Sequence, residues 1–152
     1  MAPYDLLTEL LDVPKVRVIH SERIGTDRLN VFIESTQDAA LCPNCHQISL
    51  SIHDIGEPQM IRDLPIWNRQ CWLRYTPRRF ECARCDNTFV ERVAWREPGF
   101  DYTVRYETFV YEQVRRESVA QVARDERLSE DIVQDIFARC AKKRLPTAAI
   151  RA

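Results

Sequence analysis

Apolar residues recur along this chain with two periods: they alternate with polar ones in short runs as far as about residue 95, then fall three and four apart beyond Thr103. The front half therefore reads as β and the back as helical. Leu6, Leu7, Leu10 and Leu11 fall on one face of a short first helix that Pro14 ends, suited to core or to a dimer contact. Residues 16–20 and 29–34 read as two strands joined through Gly25-Thr26-Asp27, a hairpin with Leu29, Val31 and Ile33 on its buried face. Residues 48–52, Ile-Ser-Leu-Ser-Ile, alternate more cleanly and predict a third half-buried strand; residues 70–76 and 78–82 predict further ones. Arg96-Glu97-Pro98-Gly99 then breaks the chain. After it Thr103 is placed to cap a helix carrying Tyr106, Phe109, Val110 and Val114. Ser118-Val119-Ala120-Gln121 predicts a capping box for a second helix. Ser129 caps a third, with Glu130 and Asp131 in its first turn and Val133, Ile136, Phe137 and Cys140 as its apolar stripe. The expected division is residues 1–98 and 99–152.

Composition narrows the classes. The 152 residues, 45% of them apolar, suffice for one ordinary domain or two small ones. A net charge of -1 excludes a uniformly basic nucleic-acid coat, so any such surface is local. It is unevenly spread: residues 1–59 carry 4 basic and 9 acidic groups, 60–102 carry 8 and 6, and 103–152 carry 10 and 8. The front reads as scaffold and the rest holds the arginines that can meet phosphate. No run is long enough to span a membrane and the first residues lack a signal-peptide pattern, so the expected compartment is a reducing cytosol. There the 6 cysteines are poor disulfide candidates.

Their spacing is informative. Cys42-Pro43-Asn44-Cys45 and Cys82-Ala83-Arg84-Cys85 are two C-x2-C turns with 36 residues between them. Zinc takes four thiolates in a tetrahedron, and each such turn offers two, so the pattern predicts one structural Zn2+ with no open position for a catalytic water. Packed free cysteines and a redox dithiol are the weaker readings, and His46 and His53 stand as rival ligands. Cys71 and Cys140 fall in apolar stretches and suit packing. The expected fold class is α+β, a small β-rich zinc-ribbon-like domain followed by a tri-helical helix-turn-helix domain.

Residues 118–137 fit a helix-turn-helix, with Ala123 where two helices cross, Leu128 in the turn, and Arg127 near the position where many such motifs carry glycine. Plain three-helix packing is the alternative. If the last helix enters the major groove, Glu130, Asp131, Gln134, Asp135 and Arg139 face outward. Gln134 suits adenine, and Arg139 suits guanine or phosphate. Lys142, Lys143 and Arg144 supply sequence-independent attraction, or a solvated helix end. A second basic group, Arg62, Arg69, Arg74, Arg78, Arg79 and Arg84, is expected on phosphate, with the interleaved Trp67, Trp72, Tyr75 and Phe80 in the core; Arg78, Arg79 and Arg84 also lie where they can offset a zinc–thiolate centre.

Taken in order, Cys42-x2-Cys45, His53, Arg62-Asp63-Leu64-Pro65, Arg78-Arg79-Phe80-x-Cys82-x2-Cys85 and Phe89-x-Glu91 resemble the N-terminal zinc-binding region of the ISL-three family of insertion-sequence transposases. In that family a short helix and hairpin come before the zinc region and a helix-turn-helix follows, the order seen here over nearly the whole chain. The resemblance implies a bacterial mobile-element protein, cytoplasmic and nucleoid-associated. Its zinc and helical modules bind terminal inverted repeats in double-stranded DNA, and Cys42, Cys45, Cys82 and Cys85 match the zinc ligands. Family members continue into an RNase H-like catalytic domain that residues 143–152 are too few to build, so this chain alone is not expected to cut DNA. An N-terminal fragment, a stand-alone repressor, and a zinc-containing interaction module able to form a homo-dimer are the readings that follow.

Overall fold

The structure, a computed structural model, describes residues 3–144. It divides into two compact units at Thr103/Val104.

In the first unit, helix α1 (Asp5–Leu11) leads into strands β1 (Val16–Ile24) and β2 (Arg28–Ser35), the predicted hairpin. Strands β3 (Ala40–Leu41), β4 (Ile48–Ser49), β5 (Ser51–Ile55), β6 (Gln59–Ile66), β7 (Arg69–Tyr75), β8 (Arg78–Cys82) and β9 (Asn87–Val90) follow. A four-stranded sheet runs β1-β2-β7-β6, with β2 and β7 parallel and the other pairs antiparallel. The β6–β7 hairpin therefore occupies the spacer between the two cysteine pairs and belongs to a different sheet from them. That explains the spacer's length. One face of this sheet buries Val16, Val18, Val31, Ile33, Ile61, Cys71, Leu73 and Tyr75 beneath Leu11, Val13 and Trp95. Burial of such side chains contributes roughly 1.5–3 kcal/mol each before entropy is counted. The edge at β6 is covered by the chain arriving at residues 101–103: the Arg62 N–H donates to the Asp101 carbonyl at 2.8 Å and the Thr103 N–H to the Arg62 carbonyl at 2.9 Å. Thr103 Oγ1 donates to the buried Asp63 carboxylate at 2.8 Å. The Arg62-Asp63 pair thus fastens the segment that leads out of the unit.

Two expectations are corrected. Leu7 and Leu11 turn to the core, but Leu6 and Leu10 stay exposed, and the left-handed Asp12 ends the helix ahead of Pro14. In residues 48–52 the alternation does not mark a buried apolar face: Ile48, Leu50 and Ile52 are exposed at 69%, 76% and 46%, Ser51 is exposed with them, and of the five Ser49 alone is buried. The Ser49 hydroxyl donates to the Glu81 carbonyl at 2.5 Å and accepts from the Ser51 N–H at 3.3 Å. That local bonding breaks the run between β4 and β5.

The second unit is three helices, α2 (Val104–Val114), α3 (Val119–Glu126) and α4 (Glu130–Lys143). Tyr106, Val110, Val122, Ala123, Val133, Ile136 and Cys140 are buried in it. Both serine caps form: the Ser118 and Ser129 hydroxyls accept from the Gln121 and Ile132 N–H groups at 3.1 and 3.2 Å. The capping box is only half made, because the Gln121 amide bonds forward to Asp125 at 2.7 Å. Arg127 takes the left-handed turn conformation, φ 53°, that glycine occupies in many such turns.

This run gives a direct test. Ser49→Ala is expected to lower stability by about 1 kcal/mol because it strands a carbonyl partner. Leu50→Ser is expected to change it by less than about 0.5 kcal/mol. Denaturant melts check both, and the opposite ranking would restore the simple half-buried strand.

Candidate metal centre and nucleic-acid interface

The two C-x2-C turns are built alike. After each pair the chain turns left-handed, at His46 (φ 61°) and Asp86 (φ 54°). The His46 N–H then donates back to the Cys42 carbonyl at 2.9 Å, and the Asp86 N–H to the Cys82 carbonyl at 2.8 Å. Each turn thus presents two sulfurs on one side. β4 and β8 bring the turns together over a small core of Phe80 and Phe89, whose rings stack at 6.1 Å.

The Sγ atoms of Cys42, Cys45, Cys82 and Cys85 all lie within 4.8 Å of one another, and no imidazole joins that cluster among the described residues. The Cys45 and Cys82 sulfurs are 3.6 Å apart, too far for a disulfide. A zinc with four Zn–S bonds of about 2.3 Å has sulfur–sulfur edges of about 3.8 Å, so the cluster fits one tetrahedral Zn2+. The sulfurs are also met by donors: Asn44 Nδ2 reaches Cys85 Sγ at 3.3 Å and the Cys85 N–H reaches Cys82 Sγ at 3.5 Å. The Cys45 backbone N–H is the main influence that lowers the Cys42 thiol to about 7. The Gln47 N–H pulls the Cys45 thiol down, but the Cys85 sulfur and burial push harder, and it ends above its usual value. Neighbouring thiols resist ionising together without a cation. All four positions are filled by protein sulfur, so the centre suits structure and leaves no place for a metal-bound water.

The arginines sort differently from the sequence expectation. Arg78 is not free to meet phosphate: its Nε and Nη2 donate to the two oxygens of buried Glu91 at 2.8 Å each, and Nη2 also reaches the Gln37 carbonyl at 2.7 Å. Glu91 further accepts from the Tyr75 hydroxyl at 2.9 Å, whose pKa is raised by burial first and by Glu91 second, so it stays a donor. Arg78 clamps the four-stranded sheet's Tyr75 to the strand that follows the second cysteine turn. Arg139 likewise turns inward, donating to the buried Glu107 carboxylate at 2.7 Å. Arg79 forms an exposed pair with Asp54, whose carboxyl it holds below the usual range. Arg74 is exposed on β7, its guanidinium 4.9 Å over the Phe32 ring. Arg84 is exposed within the second cysteine turn.

On α4, Glu130, Asp131, Gln134, Asp135 and Lys142 are exposed along the helix, with Lys143 and Arg144 at its end. Arg144 lies 4.5 Å over Tyr111 and 3.3 Å from Glu112. Sequence reasoning missed Asn44 as a sulfur partner and the acids Glu91 and Glu107 as arginine partners. Asn44 lies inside the first cysteine turn and was legible there; the acids sit 13 and 32 residues from their arginines, beyond any local pattern.

A zinc ribbon followed by a helix-turn-helix is the build of a DNA-binding protein, and that is the class this fold and site define. Residues 38–85 match the zinc finger of transposases IS204/IS1001/IS1096/IS1165, and residues 91–141 match the helix-turn-helix domain of transposase family ISL3. The chain carries the zinc-binding and helix-turn-helix region of the ISL3 transposases. It is similar to the transposase for insertion sequence element IS1001 of Bordetella parapertussis, 30% identical over 67 residues, which is 44% of this chain and 16% of that protein. No solved structure matches it.

The Arg78 clamp has a measurable consequence. Arg78→Ala should cost about 3 kcal/mol in thermal or denaturant melts, since it leaves Glu91 buried with one partner fewer. Arg79→Ala, which opens only an exposed pair, should cost under about 1 kcal/mol. An unchanged melt for Arg78→Ala would return that residue to the phosphate-contacting set.

Proposed function

We propose that this chain is the DNA-binding portion of a transposase that recognises the terminal inverted repeats of its mobile element, acting on the nucleoid in a bacterial cytoplasm. Cys42, Cys45, Cys82 and Cys85 hold one structural zinc that closes the ribbon. Helix α4 enters the major groove, where Gln134 reads a base edge and Lys142, Lys143 and Arg144 meet backbone. Arg74 and Arg79 add phosphate contacts from the first unit; Arg78 and Arg139 are left out because their guanidiniums serve buried acids. The observation that carries this reading is the succession of the two ISL3-type matches, the first containing all four converging thiols. The chemistry assigned to these two units is binding, not strand cleavage. Among the described residues no helix is long and apolar enough to cross a membrane.

A second reading, self-association as a homo-dimer, is favoured by one feature: Ile48, Leu50, Ile52 and Ile55 stand exposed along the ribbon.

Selection of duplexes from a random pool by the zinc-loaded chain, with a chelator-treated control, tests both. The expected outcome is an enriched motif, lost with the metal, whose preference Gln134→Ala relaxes by about 1–3 kcal/mol. Failure to enrich any duplex, together with salt-insensitive dimerisation in sedimentation, would replace the first reading with the second.

A further inference from the structure

The outward face of the four-stranded sheet is not the featureless polar side that its alternation suggests. Arg28 lies 4.6 Å over the Trp72 ring and Arg74 lies 4.9 Å over Phe32, with His20 edge-on to the same Phe32 at 4.9 Å. Register places these groups side by side: Asn30 faces Trp72, Phe32 faces Arg74, and His20 faces Phe32 across adjacent strands. The Arg28 Nε donates to Asn30 Oδ1 at 2.9 Å, a neutral acceptor that orients the guanidinium without neutralising it.

This distinguishes the pair from the other arginines of the unit. Arg17, Arg78 and Arg79 are each held by a carboxylate. Arg28 and Arg74 are held by aromatic rings, and neither has a carboxylate partner among the described residues. Stacking restricts a guanidinium while leaving its in-plane N–H donors directed at the ring's surroundings, so the ordering cost of binding an anion is partly met beforehand. Of the acids on the face, Glu34 is paired with Arg17 at 2.5 Å, and Glu22 lies 3.7 Å from the His20 ring, an ion pair only when that imidazole is protonated. Arg28 pairs with Gln70, four residues before Arg74 on β7, so their backbones are about 13 Å apart along the strand. The Arg28 guanidinium reaches forward over Trp72, two residues before Arg74, which suits the two charges to different phosphates of one backbone.

We infer that this sheet face, centred on Arg28 and Arg74 with Trp72 and Phe32 as their supports, is a second DNA surface that grips the phosphate backbone of a duplex without reading its sequence. The inference rests on the DNA-binding reading above and assigns the unit-one contacts to a place apart from the zinc turns. It also meets a need of α4, whose exposed face begins with Glu130 and Asp131 and is short of cations there.

The test compares the zinc-loaded 152-residue chain with R28Q/R74Q and R28K/R74K, titrating the duplex enriched above and a random-sequence duplex at several salt concentrations. For R28Q/R74Q the slope of log affinity against log salt should flatten by about 2, with the ratio between the two duplexes unchanged; R28K/R74K should keep the slope. An unchanged slope in R28Q/R74Q, or an equal flattening in R28K/R74K, overturns the inference. A second readout needs no arginine change: in W67F the remaining tryptophans are buried Trp95 and Trp72 on this face, so duplex addition should alter Trp72 emission, and silence there also overturns it. A wild-type chain that shows no sequence preference, yet flattens in R28Q/R74Q, keeps this surface and removes the role given to α4.

Discussion

Four sulfurs set the terms for the first unit. The turns that carry them are separated by 36 residues, and the ribbon between β3 and β9 encloses little apolar material beyond Phe80, Phe89 and the cysteines themselves. A core of that size does not offset the entropy of closing so long a loop, whereas a metal gripping both turns does. The left-handed backbone at His46 and Asp86 and the carbonyl bonds to Cys42 and Cys82 are the local devices that aim each sulfur pair.

The long spacer between the turns then has a use. It carries the β6–β7 hairpin back into the four-stranded sheet, so the ribbon is an excursion from that sheet and returns to it twice. Two buried polar linkages fasten the arrangement. Arg78 and Tyr75 converge on Glu91 just past the ribbon, and Asp63 receives Thr103 at the point where the chain leaves for the helices. A buried carboxylate without such partners is strongly unfavourable, so each linkage specifies one packing of the segments it joins. The chain is nearly neutral, and its arginines divide by partner: Arg78 and Arg139 are consumed on buried acids, whereas the guanidiniums of Arg28 and Arg74 rest on aromatic rings.

Local signals were legible in the sequence and non-local ones were not. Ser118 and Ser129 announced their helices because a cap depends on three neighbouring residues, and the paired C-x2-C turns announced the metal because zinc fixes its ligand count. The hairpin of β1 and β2 followed from Val31 and Ile33. By contrast β6, Gln-Met-Ile-Arg-Asp-Leu-Pro-Ile, hides its strand character behind a buried Arg-Asp pair and a proline, and alternation cannot say which side of residues 48–52 is inside. There Ser49 alone is buried, held by its hydrogen bond to the Glu81 carbonyl. Arg78 and Arg139 looked like phosphate ligands because their carboxylate partners are distant in sequence, and burial of those partners is a property of the fold alone.

The most direct test of the account is X-ray absorption at the zinc edge on the metal-loaded chain. Four sulfur neighbours at about 2.3 Å, with no lighter atom in the first coordination sphere, is the predicted result. A nitrogen or oxygen neighbour, or fewer than four sulfurs, would contradict a closed ribbon and return His46 or His53, or an open metal position, to the centre of the protein's chemistry.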